Sequence, residues 1–369
     1  MSGSVITGNK VIYNTGTVSL HGKTRSRHSR LRASVYKDQS TAFVEPGLDW
    51  MPDDEIYFAP TNHQWTHSEY KKIVSYESGS GMITLDSPFM FYHYGEDTST
   101  ASNYNGVDTR GEVRLLSRNI KIVGHDEGDK WGGNIFTHDR MEFDGTIRMG
   151  TTQLSYVEVA QCSQENTWNA AIRFESTGET GNSFIKNTVV HDSQAWSLLI
   201  DSSKDIVIEN SDFIGSRAVG INLKSISNVS MDGLFIGDVQ KRVWSGGDGT
   251  IDKEACLAYC SYWEPNRCFD NSLTNSIAAG CAFAGFVAPG HACDDYDSNI
   301  FRNNVAHSGE RVGAHIYPNP AISSSSSCYK GSHFSAYKNR DGGLTTMYQT
   351  ANLQMHDMTF IDNEKGVCL

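Results

Sequence analysis

Five charged side chains sit at spacings that could bring them together: Arg173, Glu175, Asp192, Asp201 and Lys224. If the short segments that carry them stack on one another, the five share one face of successive layers. Two carboxylates beside a cation suit glycoside hydrolysis, or lyase chemistry in which the cation stabilises a developing enolate. Charged residues on exposed strands also form solvated, salt-bridged faces routinely, and that is the commoner outcome. His191 adjoins Asp192 and His138 adjoins Asp139, so both pairs read as acid–base dyads. Neighbours in a strand point to opposite faces, so neither pair acts together unless it lies on a turn. His307-Ser308 reads as a structural corner. No G-x-S-x-G elbow, Walker loop or G-x-G-x-x-G lies between a strand and a helix.

Metal chemistry has two candidates. Cys256, Cys260, Cys268 and His291 could hold zinc, but the paired C-x-x-C knuckles of zinc sites are missing. Asp294, Asp295 and Asp297 cluster hard oxygen ligands that suit calcium, without the glycine and glutamate of an EF-hand loop. The expectation is no cofactor, with calcium as the one ion left open. Five of the eight cysteines fall between Cys256 and Cys293, a clustering that favours disulfides in an oxidising compartment.

The elements that would position these groups are strands. Helical periodicity is nearly absent, and apolar residues fall in short runs separated by Gly, Asn, Asp and Ser. Ile120–Val123, Leu154–Val159 and Ile206–Ile208 are such runs. The one helical patch, Lys253–Tyr259, reads as part of an inserted loop in a Cys-rich insertion near 252–270. A loose repeat organises the rest: Asn187-Thr188-Val189 is followed by Asn210 after 23 residues and by Asp232 after another 22. Related units return at Asn275, Asn304 and Leu353. A period near 22 with two or three strands per unit predicts the coils of a parallel β-helix, in which each coil buries apolar side chains by stacking on the next. Asparagine suits its corners, because it tolerates the left-handed backbone of a sharp turn and can bond to its counterpart on the next coil.

Residues 1 to 118 differ, with longer strands such as Val5-Ile6, Val11–Tyr13, Thr17–Leu20 and Ile56–Phe58, and a hairpin at Gly79-Ser80-Gly81. The expected architecture is therefore all-β: an N-terminal β region over 1–118 that leads into a right-handed parallel β-helix, pectin-lyase-like, over 119–369.

Four strings carry a family signature: Gly16–Gly22, Trp50–Ile56, His93-Tyr94-Gly95 and Val107–Ile120. Together they resemble the end of the G8 domain, and the segment after it, in fibrocystin, fibrocystin-like proteins and the cell migration-inducing hyaluronidase group. Ala278–Gly280, Ala284–Phe286, Asn303–Ser308 and Ala336–Asn339 are similar to that family's β-helix repeats. The resemblance implies one piece of a large secreted or membrane-tethered protein. In the hyaluronan-degrading branch, the strand matching Ala171–Glu175 carries a His-x-His pair, where this chain has Arg173 and Glu175. Asp192 and Asp201 stand where further histidines are expected, and Lys224 falls near an acidic position of that branch. The imidazoles that would bind metal or shuttle protons are mostly replaced, which argues against that depolymerase chemistry.

The formal charge of −12 repels nucleic acid and anionic membrane surfaces. One basic cluster, Lys23, Arg25, Arg27, His28, Arg30 and Arg32, could bind an acidic polymer such as a glycosaminoglycan or be a solvated strand face. No run of 18 apolar residues exists, so this segment makes no direct membrane insertion by a helix. The sequon Asn228-Val229-Ser230 fits secretion. The reading is an extracellular or cell-surface structural or adhesive module that presents Trp, Tyr and charged side chains to a glycan or an extracellular protein. The alternative is a polysaccharide-degrading enzyme that uses Glu175, Asp192 or Asp201, with Arg173 and His191 beside them.

Overall fold

The structure is a computed structural model that describes residues 9–125, 128–178, 182–241, 254–259, 268–289, 291–292, 299–317, 327–346 and 352–368. Three long sheets run through it. Sheet 1 holds Val11–Asn14, Asn134–His138, Ile172–Glu175, Leu198–Asp201, Ile221–Lys224, Leu257–Ala258, Ala284–Pro289, Val312–Tyr317, Gly342–Thr346 and Val367–Cys368, in that spatial order. Sheet 2 takes in Thr17–His21, Thr151–Ser155, Ser183–Lys186, Ile206–Glu209 and Ser230–Asp232, and sheet 3 takes in Ile120–Val123, Val157–Ala160, Val189–His191, Asp212–Ile214 and Phe235–Val239. The chain visits sheets 1, 2 and 3 in turn and then pairs parallel with the coil before, so the architecture is a parallel β-helix.

The strands form because apolar and polar residues alternate across a pleat. Ile172, Phe174, Leu198, Ile200, Ile221 and Leu223 point inward from sheet 1 and belong to one continuous core. Ile185, Ile208 and Met231 join them from sheet 2, and Val159, Val190, Phe213 and Ile236 from sheet 3. Each such side chain, fully removed from water, contributes roughly 1.5–3 kcal/mol. No coil can seal its own interior, so the stabilisation comes from stacking.

Each corner turns through a left-handed residue. The corner from sheet 2 to sheet 3 uses Asn187, Asn210, Gly233, Asn275 and Asn303, with φ of 50°, 48°, 63°, 52° and 55°. The corner from sheet 1 to sheet 2 uses Ser176, Ser202 and Ser225, and the corner from sheet 3 to sheet 1 uses Gln161, Asp192, Gly215 and Asp238. The expected side-chain ladder exists: Asn303 Nδ2 donates to Asn275 Oδ1 at 3.2 Å, and Asn275 Nδ2 donates to Asp232 Oδ1 at 2.6 Å.

Two expectations change, and one choice between readings is settled. Val11–Asn14 and Thr17–His21 pair parallel with Asn134–Thr137 and Thr151–Ser155, so they are the first coil of the helix rather than part of a separate region over 1–118. The chain then leaves, builds a six-stranded antiparallel sheet from His28–Arg30, Glu112–Leu115, Glu55–Phe58, Glu69–Glu77, Met82–Leu85 and Thr41–Phe43, and returns at Ile120–Val123 to close that coil. The hairpin after Gly79-Ser80-Gly81 is present. Second, Leu257–Ala258 is not helical: it is a strand of sheet 1 between Ile221-Asn222 and Phe286-Val287, because its apolar side chains are needed in the stack. Third, of the two readings of the clustered cysteines the expected disulfides stand: Cys256 is bonded to Cys281 and Cys268 is also in a disulfide, so the zinc alternative loses both thiolates. Cys260, Asp294, Asp295, Asp297 and Val5-Ile6 lie outside the described residues, as does the side chain of His291.

The inserted sheet has its own core, which includes Leu31, Val44, Ile56, Phe58, Ile73, Ile83 and Val113. It docks on the outer face of sheet 3, where Tyr57, Ala59 and Leu116 meet Val189, Ile214, Phe235 and Ala279.

Candidate functional site

The outer face of sheet 1 carries two rows of side chains, one of them half-buried and charged and the other buried. The parallel register aligns His138, Glu175, Asp201 and Lys224 in one row across four coils. The row one step along the pleat is Phe136, Arg173, Leu199 and Asn222. Neighbouring parallel strands lie about 4.8 Å apart, so each row is a ladder of near neighbours.

Arg173 is almost fully buried under this face. Its guanidinium lies 4.3 Å from the Phe136 ring centroid, donates to Asn169 Oδ1 at 3.0 Å and pairs with the Glu175 carboxylate. A charged group held this way is oriented, because cation–π contact and hydrogen bonds fix the planar fork. Asp201 Oδ1 accepts from Ser202 Oγ at 2.9 Å. Lys224 Nζ sits 3.6 Å from the centroid of Trp168 and 5.7 Å from that of Trp196, and the two indoles meet edge to face at 5.1 Å. Trp168 is 56% exposed, so the aromatic wall is open to solvent beside the acidic row.

Of the sequence-predicted residues, Arg173, Glu175, Asp201 and Lys224 are brought together as expected. Asp192 and His191 are not: they belong to sheet 3 and its corner, on another side of the helix. For this pair the stated exception applies, because Asp192 lies on a turn. Asp192 has φ 53°, which folds its carboxylate back so that Oδ2 lies 2.8 Å from His191 Nδ1. Burial, the largest influence, works to lower the His191 pKa, but the hydrogen bonds and charges of Asp192 and Glu158 overcome it and raise it to about 9. His191 is thus an imidazolium at neutral pH and part of a buried ion cluster rather than a proton shuttle. His138 and Asp139 act separately: His138 Nδ1 meets the Glu175 carbonyl at 2.8 Å, while Asp139 accepts from the backbone of Gly150 and Gly178.

A model of the family "Right handed beta helix region" matches residues 170–360. The chain belongs to the right-handed β-helix family. Among curated relatives of this β-helix protein, human fibrocystin-L is 23% identical over 98% of this chain and 9% of its own length. Mouse fibrocystin is 24% identical over 95% of this chain and 8% of its own. The mouse cell migration-inducing and hyaluronan-binding protein is 22% identical over 89% and 29%. The β-helix protein is a homologue of these groups and spans under a tenth of the length of the fibrocystins it matches.

In the basic cluster of the β-helix protein, Arg25, Arg27 and Arg30 are half-buried and ion-paired, while Lys23, His28 and Arg32 are exposed. Arg25 pairs with Asp49 and Asp54, Arg27 reaches Asp212 at 3.2 Å, and Arg30 reaches Glu112 at 2.9 Å. Of the cluster, Arg27 spans the contact between the inserted sheet and sheet 3, while Arg25 and Arg30 pair within the insertion. His307, read as a corner, belongs to the same seam: Nε2 lies 3.2 Å from Glu112 Oε2, and its ring stacks on Tyr337 at 4.6 Å.

Sequence reasoning missed Trp168 and Trp196, and it read His138 with Asp139 rather than with the acidic row. Each lies in or just before a strand of sheet 1, and laying the strands in register would have shown them over the same face.

Proposed function

We propose that this chain is the glycan-facing β-helix module of a larger extracellular or cell-surface protein, and that the outer face of sheet 1 carries the contact. The observation that supports it is the pair of exposed Trp168 and half-buried Trp196, held by Lys224, beside the Glu175–Asp201 row. Sugars present an apolar ring face and a rim of hydroxyls, which suits indoles next to carboxylates on a rigid scaffold. The disulfide Cys256–Cys281 fits an oxidising compartment. The name of one relative includes hyaluronan binding, which makes hyaluronan the first glycan to try.

A second reading has its own support. Glu175 and Asp201 are direct partners on neighbouring strands, and retaining glycosidases hold their two carboxyl groups about 5–5.5 Å apart. One experiment separates the readings. Purified protein is incubated with hyaluronan, chondroitin sulfate and pectin, and both retention and product chain length are measured. The binding module retains at least one polymer at full length, and Trp168→Ala weakens that retention about tenfold, on the order of 1–2 kcal/mol. Shortened chains that disappear with Glu175→Gln would replace the binding reading with the enzymatic one.

A further inference from the structure

A cavity of about 350 Å³ opens at the corner between sheets 3 and 1, lined by Gln161, Asp192, Gln194, Gly215, Arg217 and Gln240. These residues come from successive coils, so the cavity is a gap in the stack of corners rather than a surface dent. Its lining is almost wholly polar. Gln194 is 95% buried, since only 5% of it is exposed, and its Oε1 accepts no hydrogen bond. A buried carbonyl oxygen left unpaired costs about 1–3 kcal/mol, so it is a vacancy for a donor. Gly215, at φ 73°, keeps the space open: a Cβ there would lie 2.8 Å from Tyr70 Oη and 3.3 Å from Asp192 Oδ1.

The charges choose the ligand. Asp192 is neutralised by His191 at 2.8 Å, and Glu158, behind His191, is paired with Lys121 at 3.0 Å. Asp238, next to the cavity, is pushed up to about 6 by burial and then by the charge of Asp192, against hydrogen bonds from Tyr70 and Ser68 that lower it. Arg217 is exposed and makes no ion pair among the described residues, so its guanidinium at the mouth is open to a carboxylate. One cation, an acceptor-rich floor and side-chain amides complement an anion that carries hydroxyl donors. The volume is at the low end for small-molecule sites and suits one residue, not a chain.

We propose that this corner cavity binds a single polyhydroxy carboxylate, either a free hydroxy acid or an acidic sugar residue, with its carboxylate on Arg217 and its hydroxyls on Asp192 and Gln194. The site is separate from the face of sheet 1 and does not rest on the glycan reading of that face.

The test is calorimetric titration of the full chain with D-gluconate and D-glucuronate, with D-glucose and acetate as controls. Saturable binding of at least one of the two acids is expected, and the stronger of them names the source. Glucose should bind at least tenfold more weakly, because it lacks the carboxylate, and acetate should do the same, because it lacks the hydroxyls. Arg217→Ala should weaken the acid about tenfold or more with the melting temperature unchanged, Arg217→Lys should restore part of it, and Trp168→Ala should leave it intact. Absence of saturable binding to either acid, equal binding of acetate, or full affinity in Arg217→Ala would overturn the proposal. Loss of binding in Trp168→Ala would also overturn it, by moving the site to sheet 1.

Discussion

In an extended strand neighbouring side chains diverge, yet Asp192 bonds to His191 because a left-handed corner residue ends the strand between them. That turn has an energetic consequence. The folded pKa of His191, about 9, is raised above its ordinary value near 6.5, so folding is coupled to proton binding. The stabilisation is fully present below pH 6.5, where both folded and unfolded chains are protonated. It is lost as pH rises through 9, when the folded protein must give up the same proton. Over that window the difference is on the order of 3 kcal/mol for this buried group. Urea midpoints measured from pH 6 to 9.5 should therefore fall, and His191→Gln should flatten the slope between 6.5 and 9. An equal slope in the variant would remove His191 as its source. Nothing in the residue types flagged this: the dyad was visible, but whether it was joined depended on the sign of one φ.

At the level of the coil, the same backbone strain is met by residue choice. Asn210 turns from sheet 2 to sheet 3 at φ 48°, where a residue with a Cβ and no local hydrogen bond pays roughly 1–2 kcal/mol. Asn210→Ala should cost about that much by chemical denaturation, and Asn210→Gly should cost far less, since glycine enters the left-handed region freely. If alanine and glycine destabilise equally, the corner's cost lies in the lost side chain, not the backbone. These asparagines are what made the coil legible in the sequence, because corner and period coincided at Asn187 and Asn210, and the repeat at Asp232 fell one residue short of the corner at Gly233. The other two corners escaped notice. One uses serine, and the third uses Gln161, Asp192, Gly215 and Asp238, which share a backbone angle but no side-chain chemistry. Leu257–Ala258 misled for a related reason: its composition favours helix, but pairing on both sides in sheet 1 and the Cys256–Cys281 bond outweigh a weak local propensity. The acidic row was foreseen in part because Glu175 and Asp201 close equivalent strands. The tryptophans were not, because they precede their strands at different offsets.

For the molecule as a whole, the insertion of a six-stranded sheet into the first coil sets how the parts hold together. The two strands before it and the one after it belong to the same coil, so the inserted sheet cannot leave without opening that coil. Its seam against sheet 3 combines apolar contact at Tyr57, Leu116, Val189, Ile214 and Phe235 with one buried carboxylate, Asp212, which faces Arg27 at 3.2 Å and Arg114 at 3.4 Å. Arg114 also lies 4.2 Å over the Phe235 ring, and its pKa falls to about 10, chiefly through burial, with Asp212 opposing the fall. Removing that carboxylate leaves two guanidinium groups in a dry seam with less counter-charge, a change that costs about 3–5 kcal/mol when a buried pair is broken. Asp212→Ala should therefore lower the stability of the full chain by about that amount. Hydrogen exchange should rise together in Val189–His191, in Asp212–Ile214 and in the strands Glu55–Phe58 and Glu112–Leu115, because both sides of the seam lose their cover. Exchange that rises only in sheet 3, with the inserted strands unchanged, would show that the seam is held by its apolar contacts and that the arginines serve Asp212 rather than the docking.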